Sequence, residues 1–255
     1  MLEQALAGLK IAVTRPRLQA MSLAQRIGQA GGIALLCPLL EISAVPESPL
    51  LQAQVSRLAE FGLAIFISPN AVQYGMAAIA AAGGLPATLK IAAVGQGSAS
   101  ALRHLGIQQV LVPATRFDSE GLLALPELQQ VAGVPVLIFR ADSGRELLGD
   151  TLKLRGAKVE YATCYRRRKI TPDASLLQQA DALTVSSSEA LEALWQSFGL
   201  EQRNRLGRLP LFVQHQRLAE MANRQGWQQV LLAGTGDEGL LTALFGWGIS
   251  RQKTG

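Results

Sequence analysis

The feature that most restricts this chain of 255 residues is that it is written twice. GLKIAVTRPRLQAMSLAQRIGQAGGIALL, from Gly8, aligns without gaps with GVPVLIFRADSGRELLGDTLKLRGAKVEY, from Gly133. Gly8 then meets Gly133, Arg15 meets Arg140 and Gly31 meets Gly156. LAIFISPNAVQYGMAAIAAAG, from Leu63, answers ALTVSSSEALEALWQSFG, from Ala182, with Ser68 opposite Ser186. LKIAAVGQGSASALRHLGIQQVLVP, from Leu89, answers LPLFVQHQRLAEMANRQGWQQVLLA, from Leu209. SEGLLAL at Ser119 answers DEGLLTAL at Asp237. One such match between short segments would mean little, but four in the same order mark an internal duplication.

Each copy alternates short apolar runs with amphipathic stretches that stop at glycine, the pattern of strand followed by helix. The runs KIAV, LAIFIS, KIAAVG, QQVLVP and VPVLIF are continuously apolar, as strands buried on both faces should be. The expected fold class is therefore α/β, with parallel sheets flanked by helices. In such sheets ligands sit beyond the carboxyl ends of the strands, where loops feed helices. Those loops contain Arg15, Ser68 and Asn70, Gly95 to Ser98, Arg140, Ser186 to Ser188, and Gln214 to Arg217. Ser, Asn and Gly suit helix N-caps. The same geometry turns free backbone N–H groups toward an anion.

Two stretches leave this rhythm: CPLLEISAVPESP from Cys37 and EYATCYRRRKITP from Glu160. Pro38, Pro46, Pro49 and Pro172 are expected to break helix there, leaving extended linkers.

Composition closes several routes. With 49% hydrophobic and 17% charged residues the chain fits an ordinary globule rather than a disordered one. The Ala-rich span from Gly75 to Gly95 is interrupted by Gly83, Gly84, Pro86 and Lys90, so no membrane span is expected. The opening MLEQALAGLK has no basic segment leading into an apolar run, which points to the cytoplasm. Two cysteines, Cys37 and Cys164, and two histidines, His104 and His215, are too few for a disulfide framework or a histidine metal centre. Gly234-Thr235-Gly236-Asp237-Glu238-Gly239 fits the dinucleotide pattern G-x-G-x-x-G, but no second strand with an acidic residue follows, so no dinucleotide is expected. No tethered-nucleophile or metal-hydrolase motif is found. The net charge of +5 favours anionic partners. The run Arg166 to Lys169 lacks an aromatic ladder, so nucleic acid is not the expected partner.

The pieces together resemble the uroporphyrinogen-III synthase family. The resemblance rests on IAVTRP at Ile11, PLLEI at Pro38, FISPNAV at Phe66, AAVGQGSASAL at Ala92, DSEGLL at Asp118, LIFRADSGRELLGDTLKLRGAKVEYATCYRR at Leu137 and TVSSSEAL at Thr184. It implies two similar α/β domains joined by a two-stranded extended linker. The first domain would hold residues 1–37 and 172–255, the second 46–160, and the linker strands 38–45 and 161–171. GIQQVLVP and GWQQVLLA would then be corresponding elements of different domains, facing a shared cleft.

The resemblance also implies a cofactor-independent cyclising lyase that turns hydroxymethylbilane into uroporphyrinogen III without metal; since one chain would already supply both cleft walls, a monomer is expected. Tyr165 matches a family tyrosine thought to assist departure of the hydroxyl. A phenol is protonated at neutral pH and can donate to a leaving oxygen. For the polycarboxylate substrate, Arg15, Arg140 and Arg145 are the carboxylate candidates, and Ser68, Asn70, Gly95, Ser98, Ser186 and Ser187 the hydrogen-bonding ones. The family's Gly-x-x-Thr loop becomes Gly95-Gln96-Gly97-Ser98 in one copy. In the other it becomes Gln214-His215-Gln216-Arg217, which makes His215 and Arg217 substitute candidates. A linker of two strands would let the domains rotate. Two other readings stay open at this point: a non-enzymatic two-domain protein that clamps a small anion, and a nucleic-acid binder using Arg166 to Lys169.

Overall fold

The apolar runs become strands, and every strand but β2 is followed by a helix. The computed structural model describes residues 4–45 and 48–252, so Pro46 lies outside the described residues. In chain order the structure opens with β1 (Lys10–Val13), α1 (Arg17–Gln29), β2 (Ile33–Leu36), β3 (Leu40–Ala44) and α2 (Pro49–Ser56). It continues with β4 (Leu63–Phe66), α3 (Pro69–Ala81), β5 (Lys90–Ala93), α4 (Gln96–His104), β6 (Val110–Leu111), α5 (Ser119–Leu123) and α6 (Pro126–Gln129). Next come β7 (Pro135–Ala141), α7 (Leu147–Leu154), β8 (Lys158–Lys169), α8 (Ala174–Gln178) and β9 (Ala182–Val185). The chain closes with α9 (Ser188–Gln196), α10 (Leu200–Leu206), β10 (Leu211–Val213), α11 (Gln216–Gln225), β11 (Val230–Leu232) and α12 (Gly236–Gln252).

Two compact units result, one holding the chain up to Glu41 and from Arg168 onward, the other holding Ile42–Arg167. The first contains a parallel sheet in the order β2-β1-β9-β10-β11. The second contains β3-β8-β7-β4-β5-β6, parallel from β8 onward. β3 and β8 carry the chain between the units. Val45 N donates to Cys164 O and Ile170 N to Leu39 O, so one residue number falls as the other rises and the two strands run antiparallel.

Without β3, the two sheet orders correspond strand for strand, β1 to β7 and β9 to β4. GIQQVLVP therefore carries the edge strand β6 of one sheet, and GWQQVLLA carries the edge strand β11 of the other. Each sheet takes its β1–β2 or β7–β8 piece from one copy and its remaining three strands from the other.

Alternate strand residues feed two cores per sheet, as the period of two requires. In the second unit Ala64 and Phe66 of β4 pack with Val72, Ile79 and Leu102 of α3 and α4. Leu63 and Ile65 pack with Leu122, Leu148 and Leu152 of α5 and α7. In the first, Ala12 faces Leu191 and Leu218, whereas Ile11 and Val13 face Leu23, Ile27 and Leu244. Phe66 and Phe139 stack at 4.7 Å, and Gly75 admits them, since a Cβ there would lie 2.7 Å from the Phe139 ring.

Two expectations need correction. Pro49 does not break a helix but starts one: it is the first residue of α2, and Ser48 caps it by accepting from Leu51 N. Proline suits that position because its missing N–H would have had no intrahelical partner. The pairing of Ser68 with Ser186 is also shifted by one. Ser68 is the N-cap of α3 and Ser187 the N-cap of α9, each two residues beyond its strand, so Ser187 is the counterpart of Ser68.

The G-x-G-x-x-G stretch has a packing explanation. A Cβ on Gly239 would lie 2.2 Å from the backbone of Gly234, and one on Gly121, its counterpart in the other copy, 1.8 Å from Arg116 O. Both glycines let a loop fold against the first turn of its helix.

Candidate functional site

Tyr165 is built into place by an irregularity in β8. The β7–β8 register runs evenly to Arg140 opposite Thr163, then jumps so that Ala141 lies opposite Tyr165. The extra residue on β8 is Cys164. Such a bulge turns the following side chain to the other face of the sheet. Tyr161 accordingly packs in the α7-side core, whereas Tyr165, an even number of residues further on, packs in the α3-side core.

There Tyr165 is 4% exposed and its ring stacks on Tyr74 at 5.9 Å. Tyr74 is in turn fixed by donating to Ile42 O at 3.0 Å. The Tyr165 hydroxyl lies 3.0 Å from Ser68 Oγ, which also accepts from Ala71 N at the start of α3. Burial pushes the Tyr165 phenol above its ordinary range, opposed in part by the Ser68 contact. The group therefore stays protonated at neutral pH.

Around this pair stand other residues expected from the sequence. Asn70 is in the first turn of α3. Gly95 caps α4 and Ser98 is buried in its first turn. A Cβ on Gly97 would lie 3.4 Å from the Pro69 ring, so the amino ends of α3 and α4 are neighbours. The amino end of α4 has no side-chain cap, whereas at α3 Pro69 carries no N–H and Ala71 N is taken by Ser68 Oγ.

Arg140 and Arg145 line a cavity of about 170 Å³ on the α7 side of the same sheet. Arg140 is buried and already carries an internal carboxylate, Glu146. Tyr161 and Glu146 also belong to this cluster, and nothing in their local sequence pattern distinguishes them from ordinary strand and loop residues.

In the first unit Arg15 likewise holds an internal acid, Asp237, and donates to Gln214 Oε1 at 3.1 Å. Ser187 accepts from Ala190 N at 3.1 Å as the cap of α9, and Ser186 precedes it without a capping role. His215 is the N-cap residue of α11 without a side-chain cap bond, and both it and Arg217 are exposed. Each unit thus gathers its own expected residues at its strand ends.

Cys37 and Cys164 are free, buried thiols. Burial pushes them up to about 11 and about 12 respectively. Among the described residues no group of three His, Cys, Asp or Glu is placed to hold a metal ion, and no helix is long and apolar enough to cross a membrane.

Two doubly wound α/β units, related by duplication and linked by a strand pair, define the class of this protein. Residues 21–242 match the family model described as uroporphyrinogen-III synthase HemD, and the chain belongs to that family. It is 36% identical over 245 residues to uroporphyrinogen-III synthase of Escherichia coli (strain K12), covering 92% of this chain and all of that one. It is 35% identical over 245 residues to the Salmonella typhimurium protein of that name, with the same coverage. The fold is similar to a crystal structure of a mutant uroporphyrinogen III synthase from the extremely thermophilic bacterium Thermus thermophilus, with a TM-score of 0.63 and 23% identity over 96% of this chain and 100% of that one. It is also similar to uroporphyrinogen-III synthetase from Helicobacter pylori 26695, with a TM-score of 0.53 and 18% identity over 95% and 99%.

Proposed function

We propose that this chain cyclises hydroxymethylbilane to uroporphyrinogen III, with loss of water and inversion of the terminal pyrrole ring. The observation that carries the mechanism is the buried Tyr165 hydroxyl, held 3.0 Å from Ser68 Oγ, a phenol that is protonated at neutral pH. The terminal C–O bond breaks as a proton passes to the leaving oxygen, which departs as water. The azafulvene cation left behind is attacked by the substituted carbon of the far pyrrole. The spiro intermediate fragments and recloses with that ring inverted, and a proton is lost to restore the pyrrole.

Tyr165 acts as the donor to the leaving oxygen. Ser68, Asn70, Gly95 and Ser98 in one unit, and Ser186 and Ser187 in the other, hydrogen-bond the carboxylate arms. Arg145 and Arg217 add charge, His215 adds a ring nitrogen, and Arg15 and Arg140 take part by exchanging their internal acids. Because the linear substrate closes unaided to the other isomer, the protein's main contribution is orientation. A cofactor is not required for that. The family membership disfavours the non-enzymatic anion-binding alternative. We expect a monomer acting in the cytoplasm.

The test is to supply fresh hydroxymethylbilane, oxidise the products and separate the isomers. An excess of isomer III over the spontaneous isomer I is expected; isomer I alone, from folded protein, would sink the proposal.

A further inference from the structure

One cavity in the second unit sets Arg140 and Arg145, assigned above to the carboxylate arms, beside an internal acid and a buried phenol that the assignment does not use. Its polar lining is Ser119, Arg140, Arg145 and Tyr161, set among apolar side chains at the carboxyl end of β7. A buried guanidinium has to be paired. The Arg140 side chain is 8% exposed, and Nη1 donates to both oxygens of Glu146, at 2.8 and 3.0 Å. Arg140 also lies over the Tyr161 ring, 4.7 Å from its centroid.

The two partners of this ion pair are not equally fixed. Arg140 is anchored in a strand and enclosed. Glu146 is 54% exposed and ends the segment between β7 and α7. It can leave, and Arg140 cannot. The Tyr161 hydroxyl faces the same carboxylate, yet it is buried and makes no hydrogen bond of ordinary geometry. Its place is reserved by Gly149, where a Cβ would lie 2.0 Å from that oxygen. Arg145 lines the cavity with an exposed side chain.

The donors therefore outnumber what Glu146 uses. The volume of about 170 Å³ equals roughly six water molecules of liquid, room for a carboxylate on one or two methylenes.

We propose that this cavity is a carboxylate-binding subsite whose Arg140 is held in the resting protein by Glu146, and that one carboxylate arm of the substrate entering the cavity takes Arg140 from it. The incoming arm takes over Arg140 and the Tyr161 hydroxyl, which faces Glu146 at rest, and gains Arg145 as a further donor. Glu146 is then an internal competitor, which prevents Arg140 from standing buried and unpaired before substrate arrives. This inference rests on the proposed function for the identity of the arm, though not for the existence of the subsite.

The experiment titrates the protein with propionate at constant ionic strength, made up with chloride, and follows the arginine Nε–H signals by NMR. Glu146→Gln should bind propionate about tenfold more tightly than the parent, and adding Tyr161→Phe to it should weaken binding about tenfold, the worth of one hydrogen bond to a charged group. Tyr161→Phe should also raise KM for hydroxymethylbilane.

Propionate shifting the signals no more than chloride in Glu146→Gln, or binding equally with and without the Tyr161 hydroxyl, would overturn the subsite. If isomer III forms but propionate distinguishes none of these variants, the subsite is wrong and the activity stands. If propionate binds as expected and no isomer III forms, the activity is wrong, and the assignment of the arm falls with it.

Discussion

The hydroxyl of Tyr165 lies 3.0 Å from Oγ of Ser68, although the two residues are 97 apart in the chain. Ser68 is at once the cap of α3 and the neighbour of the proposed proton donor. Removing the phenol oxygen leaves ring packing intact. Tyr165→Phe should therefore lower kcat for isomer III by about 100-fold, the lower range for loss of a general acid. Its melting temperature should fall by only a few degrees, since about 1 kcal/mol of hydrogen bonding is lost. Isomer analysis at saturating substrate, with a thermal melt alongside, checks both. Undiminished kcat would remove Tyr165 from the chemistry.

The two serines at the start of α9 should separate cleanly. Ser187→Ala deletes the cap on Ala190 N and should destabilise the protein by about 1 kcal/mol. Ser186→Ala, which removes no cap, should change stability by less than about half of that. Chemical denaturation of both variants measures the difference. Equal losses would mean that the cap is not what distinguishes them.

Glycines in the first turns of α5 and α12 are there for space. Gly121→Ala and Gly239→Ala place a Cβ against backbone atoms 1.8 and 2.2 Å away. Backbone cannot step aside as a side chain can, so each should cost about 3 kcal/mol, at the upper end for overpacking. Gly246, exposed within α12 with nothing near its Cβ position, is the control. Gly246→Ala should stabilise by about 1 kcal/mol through helix propensity alone. Opposite signs in thermal denaturation are the expected result.

The buried thiols carry a pH signature. Both are raised in the folded protein, Cys37 to about 11 and Cys164 to about 12, chiefly by burial. An acid whose folded value is raised stays protonated in the native state while the unfolded chain ionises. Stability from these groups is therefore complete below the unfolded value near 9 and falls as pH rises from there toward 11 and 12. Denaturation midpoints should decline above pH 9, and less so in Cys37→Ala with Cys164→Ala. At pH 8 a thiol reagent should label the native protein slowly and both cysteines after unfolding.

Much of this protein was determined by its sequence alone. The apolar runs of β1, β4, β5 and β7, the glycine stops and the duplication are local or periodic properties, legible because burial on both faces and helix amphipathicity write themselves into residue order. The candidate loops could be found for the same reason, since a strand end followed by a cap is a short-range signal.

Tertiary structure alone decided three things. Periodicity cannot say which of two similar parallel strands β1 should pair with; its pairing with β9 rather than β4 is a choice between distant segments that only the packed sheet makes, and from sequence it came through the family resemblance. The bulge at Cys164, which swings Tyr165 across the sheet toward Ser68, has no local mark, because it depends on the register of a neighbouring strand. The capture of Arg15 by Asp237 and of Arg140 by Glu146 was equally hidden. An arginine in a strand-end loop looks the same in sequence whether it awaits a ligand or holds an acid, and burial, which forces the pairing, exists only once the chain has folded.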